Sequence, residues 1–302
     1  MAYQKTGSIS QRKKGRVDCQ RLLDTNGRKS NMDNSHKICY TLQHARKHRP
    51  LFQKQIIREV QDKIMEENKV RINKYIAEAG VCSRREADKL IAKGLVTING
   101  KTASMGDRAG SKDQVIVSGK PIGNKNKKVV LAFYKPIGIT CTEKDKFADK
   151  TILEYVKYPI RVTYAGRLDK DSEGLILLTN DGELIQKLMK GSAGHEKEYV
   201  VKVKKELTDS FLEEMAKGVF LKELEQTTRP CKIEKMGKYT FRIILTQGLN
   251  RQIRRMCREL GNEAVSIKRV RIMNIQLGKL PYGKWREVGG SELKQLYEGV
   301  GL

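Results

Sequence analysis

Residues 166–180 read Gly-Arg-Leu-Asp-Lys-Asp-Ser-Glu-Gly-Leu-Ile-Leu-Leu-Thr-Asn, a tight polar loop carrying acids that runs straight into an apolar strand. Such a junction puts one carboxylate, Asp169, at the rim of a buried sheet, where its surroundings control its ionisation. A carboxylate so placed can act as a nucleophile or as a base. Asp169, Asp171, Glu173 and Gly174 also fit the opening of a calcium loop. That reading needs a bidentate glutamate at position twelve and flanking helices. Asn180 stands at that position, and an apolar strand follows the loop. A structural acid that caps the turn is the plainer alternative.

A second chemical signal lies in Gln247-Gly248-Leu249-Asn250-Arg251-Gln252-Ile253-Arg254-Arg255-Met256-Cys257. At helical spacing Ile253, Met256, Cys257 and Leu260 form the apolar stripe, and Arg251, Arg255 and Arg258 fall on the opposite face. Arg254 lies at the border, about 100° from Ile253, and can turn inward. The outward arginines read as phosphate contacts or as an ordinary solvated face. Tyr199 opens an apolar strand, Tyr199-Val200-Val201; alone it reads as a core tyrosine. Histidine chemistry has little material, since His36, His44 and His48 fall in the first 64 residues and only His195 remains. The six cysteines contain no C-x-x-C pair and no completed zinc pattern, so no metal is expected.

These groups need a scaffold. The 302 residues allow two domains, and a net charge of +26 points to a polyanionic partner, RNA or DNA. No apolar run spans a bilayer, and the first residues are too polar for a secretory signal. We therefore expect a cytoplasmic protein with no membrane contact. Residues 1–64 hold 15 Lys/Arg against 5 Asp/Glu and lack a sustained apolar period, so the segment 1–68 is expected to be a disordered extension. An RNA-binding arm or an organellar transit peptide would suit it. We favour a native start at Met65, with the preceding residues translated from upstream.

Residues 69–118 read as a compact module. Ile72, Tyr75, Ile76 and Ala79 keep helical spacing up to Gly80. Ser83 and Glu86 make a capping box for a second helix that ends at Gly94. Val96-Thr97-Ile98 reaches Asn99-Gly100, a hairpin signal, and Val115-Ile116-Val117 adds a strand. Arg71, Lys74, Arg84, Arg85, Lys89 and Lys93 lie on or beside the two helices, as an RNA face or as solvated charge. Residues 119–128 read as a linker. Residues 129–302 alternate strands and helices: strands at 129–134, 175–178, 199–203 and 240–246, helices after Thr208, from Asn250 to Leu260 and from Ser291. The fold class is α+β.

The module at 69–118 resembles an S4 RNA-binding domain along nearly its whole length. Gly-Arg-Leu-Asp followed by Asp-Ser-Glu-Gly-Leu resembles the signature of the RsuA/RluF branch of pseudouridine synthases. The likeness runs through about residues 69–290. His-Glu-Lys-Glu-Tyr (195–199), Asn-Arg-Gln-Ile-Arg-Arg-Met (250–256) and Arg-Ile-Met-Asn (271–274) look most like the RluF subgroup, whose members are associated with 23S rRNA and sometimes a tRNA anticodon loop. The resemblance implies a mixed or antiparallel synthase sheet after the S4 domain. It makes Asp169 the catalytic acid, acting on a flipped uridine without a cofactor. Tyr199 would stack beneath the base, Arg254 would pair with the acid, and Arg167 would enter the gap left in the RNA. Ile272 would pack against the base, while Lys135-Pro136-Ile137-Gly138 would be structural with an RNA-facing backbone. A monomer is expected. The rivals are a non-catalytic S4-type RNA-binding or ribosome-assembly protein, and a synthase acting only on 16S rRNA or tRNA.

Overall fold

The computed structural model describes residues 69–123, 127–142 and 151–302. The extension 1–68 and the start at Met65 lie outside the described residues.

The first module is built around two short helices. Strand β1 (Val70–Arg71) leads into helix α1 (Ile72–Glu78), which buries Ile72, Tyr75 and Ile76. Helix α2 (Arg84–Ala92) opens on Ser83. The Ser83 hydroxyl accepts from the Glu86 N–H while the Glu86 carboxylate accepts from the Ser83 N–H, satisfying two orphan donors. Strands β2 (Val96–Ile98) and β3 (Lys101–Thr102) meet through Asn99 and Gly100, both left-handed at φ 51° and 80°. That geometry matches the twist of the flanking strands. Strand β4 (Arg108–Ala109) pairs with β1, and β5 (Val115–Val117) with β2. Strand β6 (Lys120–Pro121) adds to β5 across the left-handed pair Ser118 and Gly119. The span expected to be a linker thus begins as a sheet edge, because a second tight turn folds it back.

The larger part is a single nine-stranded sheet. Its strands are β7 (Val130–Lys135), β8 (Thr163–Ala165), β9 (Glu173–Thr179), β10 (Lys197–Val203), β13 (Lys232–Gly237), β14 (Thr240–Leu245), β15 (Ala264–Ile272), β16 (Ile275–Gln276) and β17 (Trp285–Glu287). A separate hairpin joins β11 (Phe220–Leu221) to β12 (Gln226–Thr227). The main path is β13-β14-β10-β15-β9-β7-β17, with β8 on β9 and β16 on β15. Among the described residues every pairing of these strands is antiparallel except β9 with β15. The sheet is mixed, as the family resemblance implied.

Helices cover the sheet unevenly. Helices α3 (Ile152–Tyr155), α4 (Gly182–Met189) and α7 (Gly290–Gly299) accompany β7 and β9; α5 (Asp209–Lys217) and α6 (Gln252–Glu259) accompany β10, β14 and β15. Ile139, Ile152, Val162 and Leu168 join Phe133 and Ile176 in one cluster, and Leu184, Leu188 and Leu296 join Leu175 and Leu177 in another. With both faces covered, β7 and β9 are apolar almost without alternation. Phe211, Met215, Ile253, Met256 and Cys257 fill the third cluster. Helix α4 was not expected from the sequence. Its signals are there: Asp181 accepts from the Glu183 and Leu184 N–H groups, and Leu184 and Leu188 lie four apart on the buried face.

The parallel seam depends on Gly174. Its φ is 115°, and a Cβ there would meet the Arg269 carbonyl oxygen at 2.3 Å and the Arg269 nitrogen at 2.5 Å. Gly174→Ala should therefore cost more than about 2 kcal/mol in a denaturant melt, through strain and a forced strand separation. A loss under ~0.5 kcal/mol would refute the close-approach account.

Candidate active site

Loop 166–172 joins β8 to the start of β9. Ser172 N–H donates to the Asp169 carbonyl at 3.1 Å and closes the turn, and Gly138 N–H donates to the Lys170 carbonyl at 2.8 Å. The first bond separates the two acids of the loop. Asp169 lines a cavity of about 550 Å³, whereas Asp171 faces α6. The Asp169 side chain is 35% exposed.

Cationic side chains hold this loop by its backbone. Lys135, at the end of β7, is 0% exposed, and its Nζ donates to the carbonyls of Pro136 (2.9 Å) and Ser172 (2.8 Å). Burial pushes its ammonium below the usual lysine value, and nearby Cys141, Asp169 and Asp171 oppose that shift. Arg269, on β15, is 3% exposed; Nε donates to the Leu175 carbonyl at 2.6 Å and Nη1 to the Arg167 carbonyl at 3.5 Å. Arg254 sends Nη2 to the Asp171 carbonyl (3.0 Å) and Nη1 to the Ala264 carbonyl (2.8 Å).

Arg254 turns inward as its helical position suggested, but it does not meet Asp169. Its Nε lies 3.2 Å from Asp171 Oδ2. Arg251 is the cation near Asp169, at 3.8 Å, while it also binds Asp171 at 2.9 Å. The helix starts at Gln252, and Arg251 precedes it with a left-handed φ of 50°, so it leaves the outward helical face and reaches the loop. Arg255 is also not free for phosphate: it pairs with Glu223 and donates to Asn250.

Tyr199 on β10 lines the cavity, opposite Arg269 on β15, whose guanidinium carbon lies 6.0 Å from the ring centre. Lys197, Ile267, Leu249 and Ile253 complete much of the wall. Ile272 does not. The β10–β15 register shifts by one residue between Glu198 and Tyr199, and Ile272 beyond it packs with Leu277 and Val288. Arg167 is exposed at the cavity, with Arg71, Arg84, Arg85 and Lys89 exposed on the first module. Lys74 is half-buried and 3.6 Å from Glu78. Sequence reasoning missed Lys135, Lys197 and Arg269 as site residues. Lys135 carried a signal, a charge at the end of an otherwise apolar strand, whereas Lys197 and Arg269 sit among other charges in their strands.

A second cavity of about 600 Å³ lies beyond Arg254, lined by Lys204, Lys205, Arg251, Arg258 and Asp171. It holds basic groups but not Asp169 or Tyr199, so the first cavity is the candidate for chemistry.

Comparison with known proteins gives this geometry a context. A family model described as RNA pseudouridylate synthase matches residues 129–259, and one for the S4 domain matches residues 70–115. The dual-specificity RNA pseudouridine synthase RluF of Escherichia coli (strain K12) is 45% identical over 237 residues, covering 78% of this chain and 81% of that one. The ribosomal large subunit pseudouridine synthase B of Bacillus subtilis (strain 168) is 35% identical over 232 residues, covering 75% and 95%. A crystal structure of a pseudouridylate synthase aligns with a TM-score of 0.57 at 28% identity, covering 75% of this chain and 99% of that one.

The Asp171 pair gives a pH signature. Burial alone would raise its carboxyl, but the Arg251 hydrogen bond and the charges of Arg254 and Arg251 outweigh that and hold it low. A carboxyl depressed on folding adds stability above its unfolded value of about 3.9, and that stability is lost as pH falls through the lower folded value. Asp171→Asn should melt below the parent at neutral pH, and the two curves should converge as pH falls through the depressed folded value of Asp171. A deficit that persists unchanged in acid would show that the ion pair is not its source.

Proposed function

The chain belongs to the RNA pseudouridylate synthases, and from that premise we propose that it isomerises a specific uridine of 23S rRNA, with a tRNA anticodon loop as a second target, using Asp169 as its catalytic carboxylate. The observation that carries this is the position of Asp169: on a loop clamped by buried cations, at the wall of a cavity that also holds Tyr199. The RNA target follows the names of the relatives, one a dual-specificity RNA synthase and one a large-subunit synthase.

The reaction detaches the base from C1′, turns it, and rejoins it through C5, with no redox change. Asp169 either attacks C1′ or takes a proton from the sugar. In both routes the C1′–N1 electron pair leaves with the base. A base must then remove the C5 proton, and the same carboxylate is suited to that. The target uridine must first leave its stack, at a cost of a few kcal/mol. Stacking on Tyr199 returns about 1–3 kcal/mol, and exposed Arg167 enters the gap. Arg254 acts at one remove: through Asp171 and its carbonyl it keeps the loop in place. The S4 module, residues 69–118, grips an RNA stem by phosphate and shape, and residues 129–302 do the chemistry. The enzyme works as a monomer in the cytoplasm.

Tritium release from transcripts of 23S, 16S and tRNA labelled at uracil C5 tests this. The parent should release tritium from 23S rRNA, and Asp169→Asn should release none while still binding it. Release only from 16S rRNA or only from tRNA would reassign the substrate. No release from any RNA, assembly intermediates included, would favour a non-catalytic RNA-binding protein. For the S4 module, replacing Arg84 and Arg85 with alanine should lower the slope of log affinity against log salt by about 1–2. An unchanged slope would remove them from the interface.

A further inference from the structure

Apart from the clamp of Arg269 on the loop backbone, two cations at the cavity have no assigned part in the reaction. Lys197 and Tyr199 stand two residues apart on β10, Arg269 faces Tyr199 from β15, and all three line the cavity. Arg269 is almost wholly buried, and although Nε and Nη1 are held by carbonyls, its Nη2 has no partner. The Lys197 Nζ donates to the His195 carbonyl at 3.3 Å, which leaves two of its three donors for a ligand. Among the described residues, no carboxylate forms an ion pair with either group. Burial first, and the charge of Arg269 second, hold the Lys197 ammonium below the ordinary lysine value. Two dehydrated, like-charged groups that lack a counter-ion make an incomplete site. An anion between them would supply the missing partner and relieve their repulsion.

The proposed reaction generates such an anion, and the inference rests on that reading. When C1′–N1 breaks, the electron pair goes to uracil, and its negative charge spreads over N1, O2 and O4. We propose that Lys197 and Arg269 are catalytic residues that take up the carbonyl oxygens of the departing uracil and hold the anion while it turns from N1 to C5. C1′ is meanwhile held as an ester of Asp169 or, after loss of a sugar proton to that carboxylate, as an unsaturated sugar. C5 then bonds to C1′, which frees the carboxylate or returns the sugar proton. Finally the C5 proton leaves to a base and N1 regains a proton, so the product is an isomer of the substrate. The cations bind more strongly as charge develops, which is where a donor lowers a barrier. They also select the base, because cytosine would bring an amine donor to a wall of donors.

The test compares uridine with 5-fluorouridine at the target position of whichever RNA the tritium assay identifies. Fluorine acidifies the base and makes it a better leaving group without help from the protein. Consumption of the target nucleotide is followed in single turnover by digestion and chromatography, beside RNA affinity, for the parent, Lys197→Met and Arg269→Lys. Lys197→Met should slow uridine consumption by about 100-fold, the loss typical of one anion-stabilising donor. Affinity should stay within about twofold, and the slowing with 5-fluorouridine should be about tenfold or less. Arg269→Lys, which keeps the charge, should retain more activity than Lys197→Met. Equal slowing on both bases would overturn the proposal in favour of a structural role, and so would lost RNA affinity with an unchanged maximal rate. A parent that consumes neither base would bring down the synthase reading itself, and this inference with it.

Discussion

The acid loop is held by its own carbonyl oxygens. Those of Arg167, Asp171 and Ser172 accept from Arg269, Arg254 and Lys135, and Arg269 also donates to the Leu175 carbonyl in β9 beside the loop. Hydrogen bonds to charged groups contribute about 1.5–3 kcal/mol each, whereas burying a charge costs several kcal/mol. The arrangement is tolerable because the two terms are of similar size. Removing either partner would leave a buried group unsatisfied. Within the loop so held, Asp169 faces the cavity, while Asp171 takes the closer contacts of Arg251 and Arg254.

The sheet makes that clamp possible. Lys135 comes from the end of β7, the loop from the start of β9, Arg269 from β15 and Tyr199 from β10. These four strands are neighbours in the sheet only because β9 and β15 pair in parallel. Gly174 lets their backbones meet at that pairing. Gly174, two residues past the acid loop, thus acts on the candidate site indirectly. It brings the Arg269 strand under the loop.

Much of the scaffold could be read from local patterns. The Ser83–Glu86 box, the Asn99-Gly100 turn and the Thr208 cap involve partners three or fewer residues apart, and all three form as expected. The site was legible in part. Asp169 and Tyr199 do share a cavity. The partner of Arg254 is Asp171 and not the expected Asp169, because residues 83 positions apart meet according to how the loop turns, and helical periodicity gives only a direction. Lys135 and Arg269 show no partner in a linear reading for a related reason: one is a lone charge ending an apolar strand, the other one of three cations in β15, and the carbonyls they meet lie 37 and 94 residues away.

From its sequence alone this protein is an α+β chain with an S4-like module, a synthase-like domain, an RNA-directed charge and Asp169 in a polar turn. Those features depend on residue type and short spacing, where turn chemistry and period act directly on the backbone. The tertiary structure decided which cation holds which oxygen, that Arg251 and not Arg254 stands near Asp169, and that Ile272 belongs to the core and not the cavity. Such contacts join distant segments of the chain. They are settled by sheet register, by the shift of that register between Glu198 and Tyr199 and by the burial of charge, and these exist only once the strands have paired.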